Sequence, residues 1–180
     1  MKTRETDRTT IATVAAAGLL ASLLLLSTAG AVEQEAPPSV VAALTVKLMA
    51  FEKSIGGSSR ELTIFVLGAP AIAEELKVGL GTSVGSAKLV SVLKGDGLPA
   101  AKPSVLFIGN AAKSGEAIQY ARANKILTVT GIPSLVSKGV TLGIALGDSG
   151  KPEILLNLTA SVAEGLDWNP AIMKVAKTVK

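Results

Sequence analysis

The sequence predicts an α/β fold: a single layered domain with a mixed β-sheet flanked by helices. Three observations point there. Short, nearly all-apolar runs such as Leu62–Leu67 and Ser104–Ile108 have the pattern of strands covered on both faces. They alternate with longer segments of helical period, among them Ser39–Ile55 and Ser114–Asn124. Aromatic residues make up only 3% of the chain, so a core must be assembled from Val, Leu, Ile and Ala.

Residues 1–31 precede that domain and read as a cleavable secretory signal. Lys2, Arg4 and Arg8 form a mildly basic start, and Ile11–Leu26 carries no charge. Ala29-Gly30-Ala31 then fits the small-residue cleavage pattern ahead of Val32. A membrane-spanning helix needs about 20 apolar residues, and this run is short for one, so cleavage is expected rather than an uncleaved anchor. The expected destination is outside the cytoplasm. Residues 32–38 form a proline-bearing lead-in and residues 39–180 the domain.

Within the domain, Ser39 is expected to cap a first helix whose inward stripe is Val41, Leu44, Leu48, Phe51 and Ile55. Gly56-Gly57-Ser58-Ser59 ends it. A strand over Leu62–Leu67 closes at Gly68, and Pro70 suits the first turn of a helix that turns Ile72, Leu76 and Leu80 inward. Gly79–Gly85 reads as a flexible connection to a strand over Lys88–Leu93, followed by a turn at Lys94-Gly95-Asp96-Gly97. A strand over Ser104–Ile108 ends at Gly109-Asn110. Next come a helix over Ser114–Asn124, a short strand over Ile126–Val129 and a short helix over Pro133–Lys138. Val140–Leu146 and Glu153–Leu158 flank Gly147–Pro152 as a hairpin. Asn169 and Pro170 signpost a closing helix with Ile172, Val175, Ala176 and Val179 inward and Lys174, Lys177 and Lys180 outward.

Composition excludes more chemistry than it suggests. The chain has no Cys, so disulfides, thiolate nucleophiles, cysteine-ligated metals and a lipidated N-terminal cysteine are all closed to it. It has no His, which removes the usual general base near neutral pH and the commonest transition-metal ligand. Without residues 1–31 the net charge changes from +4 to +3, too mild and evenly spread to argue for nucleic acid. No catalytic residue, cofactor or metal is expected.

Several motifs fail for lack of their partners. Gly147-Asp148-Ser149-Gly150 matches the serine-protease nucleophile sequence but has no imidazole to serve it. Gly81–Lys88 lacks the spacing of a phosphate-binding loop, because Lys88 lies three residues beyond Gly85. Ser91-Val92-Leu93-Lys94 has the Ser-Lys spacing but sits on a strand. Asp96, Asp148 and Asp167 fall near turns, where solvated surface is their expected role. Asn157-Leu158-Thr159 matches a glycosylation sequon at a strand end. Trp168, the only tryptophan, is expected to cap the core, with a partner contact as the other reading.

From about Val41 to Val179 the order of segments resembles the YfiR/HmsC-like family of small periplasmic proteins. Four blocks carry the likeness: Lys47-Leu48-Met49-Ala50-Phe51 with Leu62–Gly68; Val105–Asn110; Ile126–Thr130; and Leu156-Asn157-Leu158 with Glu164-Gly165-Leu166. On this resemblance Gly68, Gly109, Asn157 and Gly165 are structural signatures, and Trp168 and Phe51 are candidate partner contacts. The chain departs from the family at Lys53-Ser54, where a Trp-Pro is common, at Gly131, where Asp often stands, and in having no disulfide. Redox-sensitive regulation is therefore not implied.

What the resemblance does imply is a regulator rather than an enzyme. Its partner would be the periplasmic domain of a membrane protein, such as a diguanylate cyclase, in cyclic-di-GMP and biofilm control. A homodimer is compatible with this, and any membrane contact would run through the partner or an uncleaved signal. The rival reading is a small-ligand-binding module serving an uptake system or a sensor kinase. Its pocket would lie at the strand ends near Gly68 and Gly109.

Overall fold

The computed structural model describes residues 34–179; the expected signal at residues 1–31 lies outside the described residues. Strand β1 (Gln34–Glu35) leads into α1 (Pro38–Met49) and a short α2 (Lys53–Gly56). Then come β2 (Glu61–Leu67), α3 (Pro70–Val78), β3 (Ser83–Val84), β4 (Ala87–Gly95) and β5 (Val105–Ile108). A 3-10 turn at Ala111–Lys113 opens α4 (Ser114–Asn124), followed by β6 (Leu127–Thr130) and α5 (Ser134–Ser137). The chain closes with β7 (Leu142–Leu146), β8 (Pro152–Asn157), α6 (Leu158–Glu164), a 3-10 helix (Pro170–Lys174) and β9 (Ala176–Val179).

The strands form one mixed sheet in the order β3-β4-β2-β5-β6-β7-β8-β9. Strands β4, β2, β5, β6 and β7 run parallel, β3 is antiparallel to β4, β8 is antiparallel to β7, and β9 lies parallel to β8. Strand β1 pairs with Ala145 and Leu146, continuing the ladder of β7 beyond the short β6. Side chains alternate across β2: Leu62, Ile64 and Val66 pack with α1 and α3, whereas Phe65 and Leu67 pack with α4 and α5. This two-sided burial is why the strands read as continuous apolar runs.

Four expectations are corrected. Helix α1 starts at Pro38, not at a Ser39 cap, because the proline fits the first helical position, where its missing N–H is not needed. Ile55 belongs to the separate α2, whose N-terminus is capped by the Glu52 carboxylate. Leu80 is half-exposed, since α3 stops at Val78 and Gly79 turns the chain away. Gly79–Gly85 is an ordered turn into β3, where a Cβ on Gly85 would stand 2.3 Å from the Gly56 carbonyl oxygen.

The C-terminal helix is replaced outright. Asn169 does accept a hydrogen bond from the Ala171 amide, but the 3-10 helix it caps ends at Lys174. Ala176–Val179 then pairs with Ile154–Asn157 as an edge strand, and Lys177 reaches Glu153 at 3.3 Å. Val175 is exposed, not inward. An open edge on β8 offers these residues four ladder positions, which outweighs a helical period carried only by Ile172, Val175, Ala176 and Val179. Lys180 lies outside the described residues.

Candidate functional site

The two ends of the parallel sheet differ in character. Strand order reverses between β2 and β5, so their carboxyl ends mark the place where open α/β sheets hold ligands. Here that crevice is closed by the protein itself. A Cβ on Gly109 would lie 2.2 Å from the Ala69 Cβ, and one on Gly68 would lie 2.6 Å from the Asn110 Cβ. Gly68 also has φ +69, a left-handed conformation that glycine adopts without steric cost. Asn110 spends its carbonyl oxygen on the Ala112 amide. Beside this contact lies an open depression of about 320 Å³, lined by Val66, Pro70, Lys94 and Asp96 among others. The Lys94 ammonium is paired with Glu74 at 2.8 Å.

The opposite end brings together residues that the sequence placed far apart. Phe51 and Trp168 are both partly buried against the core on the α1 side of the sheet. The Asn169 amide donates to the Phe51 carbonyl at 2.7 Å, and Glu52 bridges Trp168 as an isolated antiparallel pair. The Glu52 carboxylate is almost fully buried; it accepts from Ser54 Oγ, the Ile55 amide and the Asp167 amide. Trp168 Nε1 donates to Ser161 Oγ at 2.6 Å, which locks the indole to α6. Lys53 and Asp167 close the junction with an exposed ion pair of 2.9 Å.

Helix α6 carries the remaining signatures. Asn157 caps it by accepting from the Ala160 amide at 2.9 Å, while its Nδ2 donates to the buried Val136 carbonyl at 2.8 Å. With the side chain only 4% exposed, the sequon offers no free amide for a glycan. Gly165 ends the helix at φ +70. Leu158 and Val162 project from α6 into solvent, the latter 77% exposed.

Sequence reasoning missed Glu164, the most unusual ionisable group here. It is fully buried, and its carboxylate accepts from the Thr128 amide, Thr128 Oγ1 and Thr141 Oγ1 at 3.0, 2.5 and 2.7 Å. Thr128 Oγ1 in turn accepts from the Thr141 amide. Burial raises the pKa to about 7, although the threonine hydrogen bonds and the charge of Arg122 act against that rise. The two threonines in neighbouring strand regions were the available signal, as buried hydroxyls need partners.

Nothing in this arrangement assembles an acid–base pair or a nucleophile. Asp96 and Asp148 are exposed in turns, and Gly147–Gly150 forms the β7–β8 hairpin with Gly150 at φ +71. Ser91 lies on β4, which runs on through Lys94 to Gly95, two residues into the expected turn. Among the described residues no cluster of carboxylates is placed to hold a metal ion. None of their helices is long and apolar enough to cross a membrane.

Comparison with known proteins agrees with the architecture. No match was found among curated proteins. A conserved domain protein from Vibrio cholerae is similar in structure, with a TM-score of 0.53 and 15% sequence identity. The likeness covers 82% of this chain and 61% of that one, and it concerns the fold alone. The model of the YfiR/HmsC-like family matches residues 38–177, the span from the start of α1 into β9. The chain therefore belongs to the YfiR/HmsC-like family.

Proposed function

We propose that this protein is a periplasmic regulatory binding protein that restrains a membrane-bound diguanylate cyclase, or a related sensor, through the partner's periplasmic domain. The observation that carries this reading is the family match across residues 38–177. The signal-like residues 1–31 agree with export. Close packing of Gly68 on Asn110 and of Gly109 on Ala69 fills the crevice between β2 and β5. The open depression beside it offers only Asp96 and a Lys94 already paired with Glu74 as charged groups, which tells against a small-ligand pocket at the switch point. Solvent-facing Leu158 and Val162, one helical turn apart on α6 and close to the Trp168 junction, suit contact with another protein.

The mechanism is binding linkage. A repressor lowers cyclase output only if it binds the inactive conformation more tightly than the active one. Deleting the gene is then expected to raise cytoplasmic cyclic-di-GMP and surface attachment, and complementation to reverse both. Unchanged cyclic-di-GMP under several envelope stresses would overturn the proposal.

A further inference from the structure

Three adjacent parallel strands of the sheet are entered through a basic residue. Arg60 immediately precedes β2, Lys102 lies three residues before β5, and Lys125 lies two residues before β6. Because β2, β5 and β6 are neighbours, their entries are spaced about 5 Å apart and the outer two about 10 Å. The three side chains line one polar concavity of about 180 Å³, together with Ser54 and Ser104. No carboxylate lines it. Of the acidic groups nearby, Glu52 caps α2 and Asp167 pairs with Lys53, while Glu61, next to Arg60 in the chain, is exposed and does not line the concavity. Among the described residues Arg60, Lys102 and Lys125 form no ion pair, in contrast to Lys53, Lys77, Lys94 and Lys177.

Lys125 supplies an independent sign of construction. It is the sole non-glycine residue at positive φ among the described residues, at φ 53. A helix C-terminus in this conformation is the usual place for glycine, and a lysine there costs about 1–2 kcal/mol of local strain. Its stem packs on Gly165, where an added Cβ would be 3.1 Å from Lys125 Cδ, and its ammonium donates to the Ala163 carbonyl at 3.2 Å. That leaves two of the three ammonium N–H groups for a ligand. Pro103 is buried and restricts the backbone of Lys102. Ser104 is held by the Thr63 amide, which donates to its hydroxyl at 3.3 Å.

We propose that this concavity at the amino ends of β2, β5 and β6 is a binding site for a phosphate-class oxyanion. Three cations gathered without a counter-charge repel one another when the site is empty, and a dianion reverses that sign. The guanidinium of Arg60 offers a planar pair of donors, and the lysines add point charges. A concavity of about 180 Å³ has room for a tetrahedral oxyanion with part of its hydration shell. This inference stands apart from the regulatory reading, and the same group could be free phosphate or the phosphate of a lipid headgroup.

The test is a titration of purified protein with inorganic phosphate at constant ionic strength, followed by amide NMR shifts. Saturable shifts at Ser54, Ser104 and Lys125 are expected. The double variant Arg60→Gln/Lys102→Gln should bind at least about tenfold more weakly, while Lys151→Gln in the β7–β8 hairpin should bind as the wild type does. No saturation, or equal weakening by Lys151→Gln, overturns the site. Flotation with phosphatidylglycerol vesicles but not phosphatidylcholine vesicles, competed by free phosphate, assigns the headgroup. Phosphate binding without flotation assigns the free ion. Flotation without any phosphate binding also overturns it. Thermal melts of each variant verify that the fold is intact.

Discussion

At the scale of single residues, the balance of burial and hydrogen bonding at Glu164 decides how stability responds to pH. Its folded pKa of about 7 lies above the ordinary value of 4.5, so the folded state holds a proton that the unfolded chain releases. The stabilising contribution is therefore fully present below pH 4.5 and is lost as pH rises through about 7. The amide of Glu164→Gln mimics the protonated acid: Nε2 can donate to Thr128 Oγ1, and Oε1 can accept from the Thr128 amide and Thr141 Oγ1. Urea unfolding should show the variant near wild-type stability at pH 5 and more stable by about 2–3 kcal/mol at pH 8. Equal destabilisation at both pH values would show that the carboxylate, not the acid, is the form the fold requires. The exposed pair of Lys53 and Asp167 adds little by comparison, since solvent screens it.

At the scale of elements, the parallel strands were legible in the sequence because burial on both faces leaves unbroken apolar runs at β2 and β5. Helix α4 was legible for the opposite reason: Ile118 and Ala121 recur at helical spacing among polar residues. Helix α6 was not, because its pattern is inverted. It exposes Leu158 and Val162 and buries Ser161 and Glu164, so hydrophobic periodicity points the wrong way. What holds α6 is polar: the Asn157 cap, the Glu164–threonine cluster and the Trp168 bond to Ser161. The junction of Phe51 with Trp168 was equally hidden, since a contact across more than a hundred residues leaves no local period. Asn157→Ala should lower stability by roughly 2–3 kcal/mol, about one for the lost cap and the rest for the Val136 carbonyl left buried without a partner. Asn157→Asp keeps the cap acceptor but sets a carboxylate against that carbonyl, so it should recover little of the loss in the same unfolding assay. Full recovery by Asp would assign the whole effect to capping.

For the whole molecule, the sheet's two edges are managed in different ways. Strand β3 covers β4 only at Ala87 and Lys88. Beyond that, the register shift at Leu62/Thr63 leaves Val90 as an extra residue, and Lys94 follows near the strand end. A bulge and lysines are common protections for such an edge. The other edge is covered covalently: the chain returns through α6 and the 3-10 helix so that β9 shields β8. A chain ending at Lys174 keeps buried Ile172 but loses that ladder, so it separates edge protection from core packing. It should remain folded, lose roughly 1–3 kcal/mol in urea unfolding and gain a concentration-dependent dimer in light scattering, as β8 finds a second copy. Unchanged stability together with a strictly monomeric state would show that β9 adds nothing beyond its backbone placement. Loss of stability without self-association would instead mean that exposed Lys151 and half-buried Glu153 already guard the β8 edge.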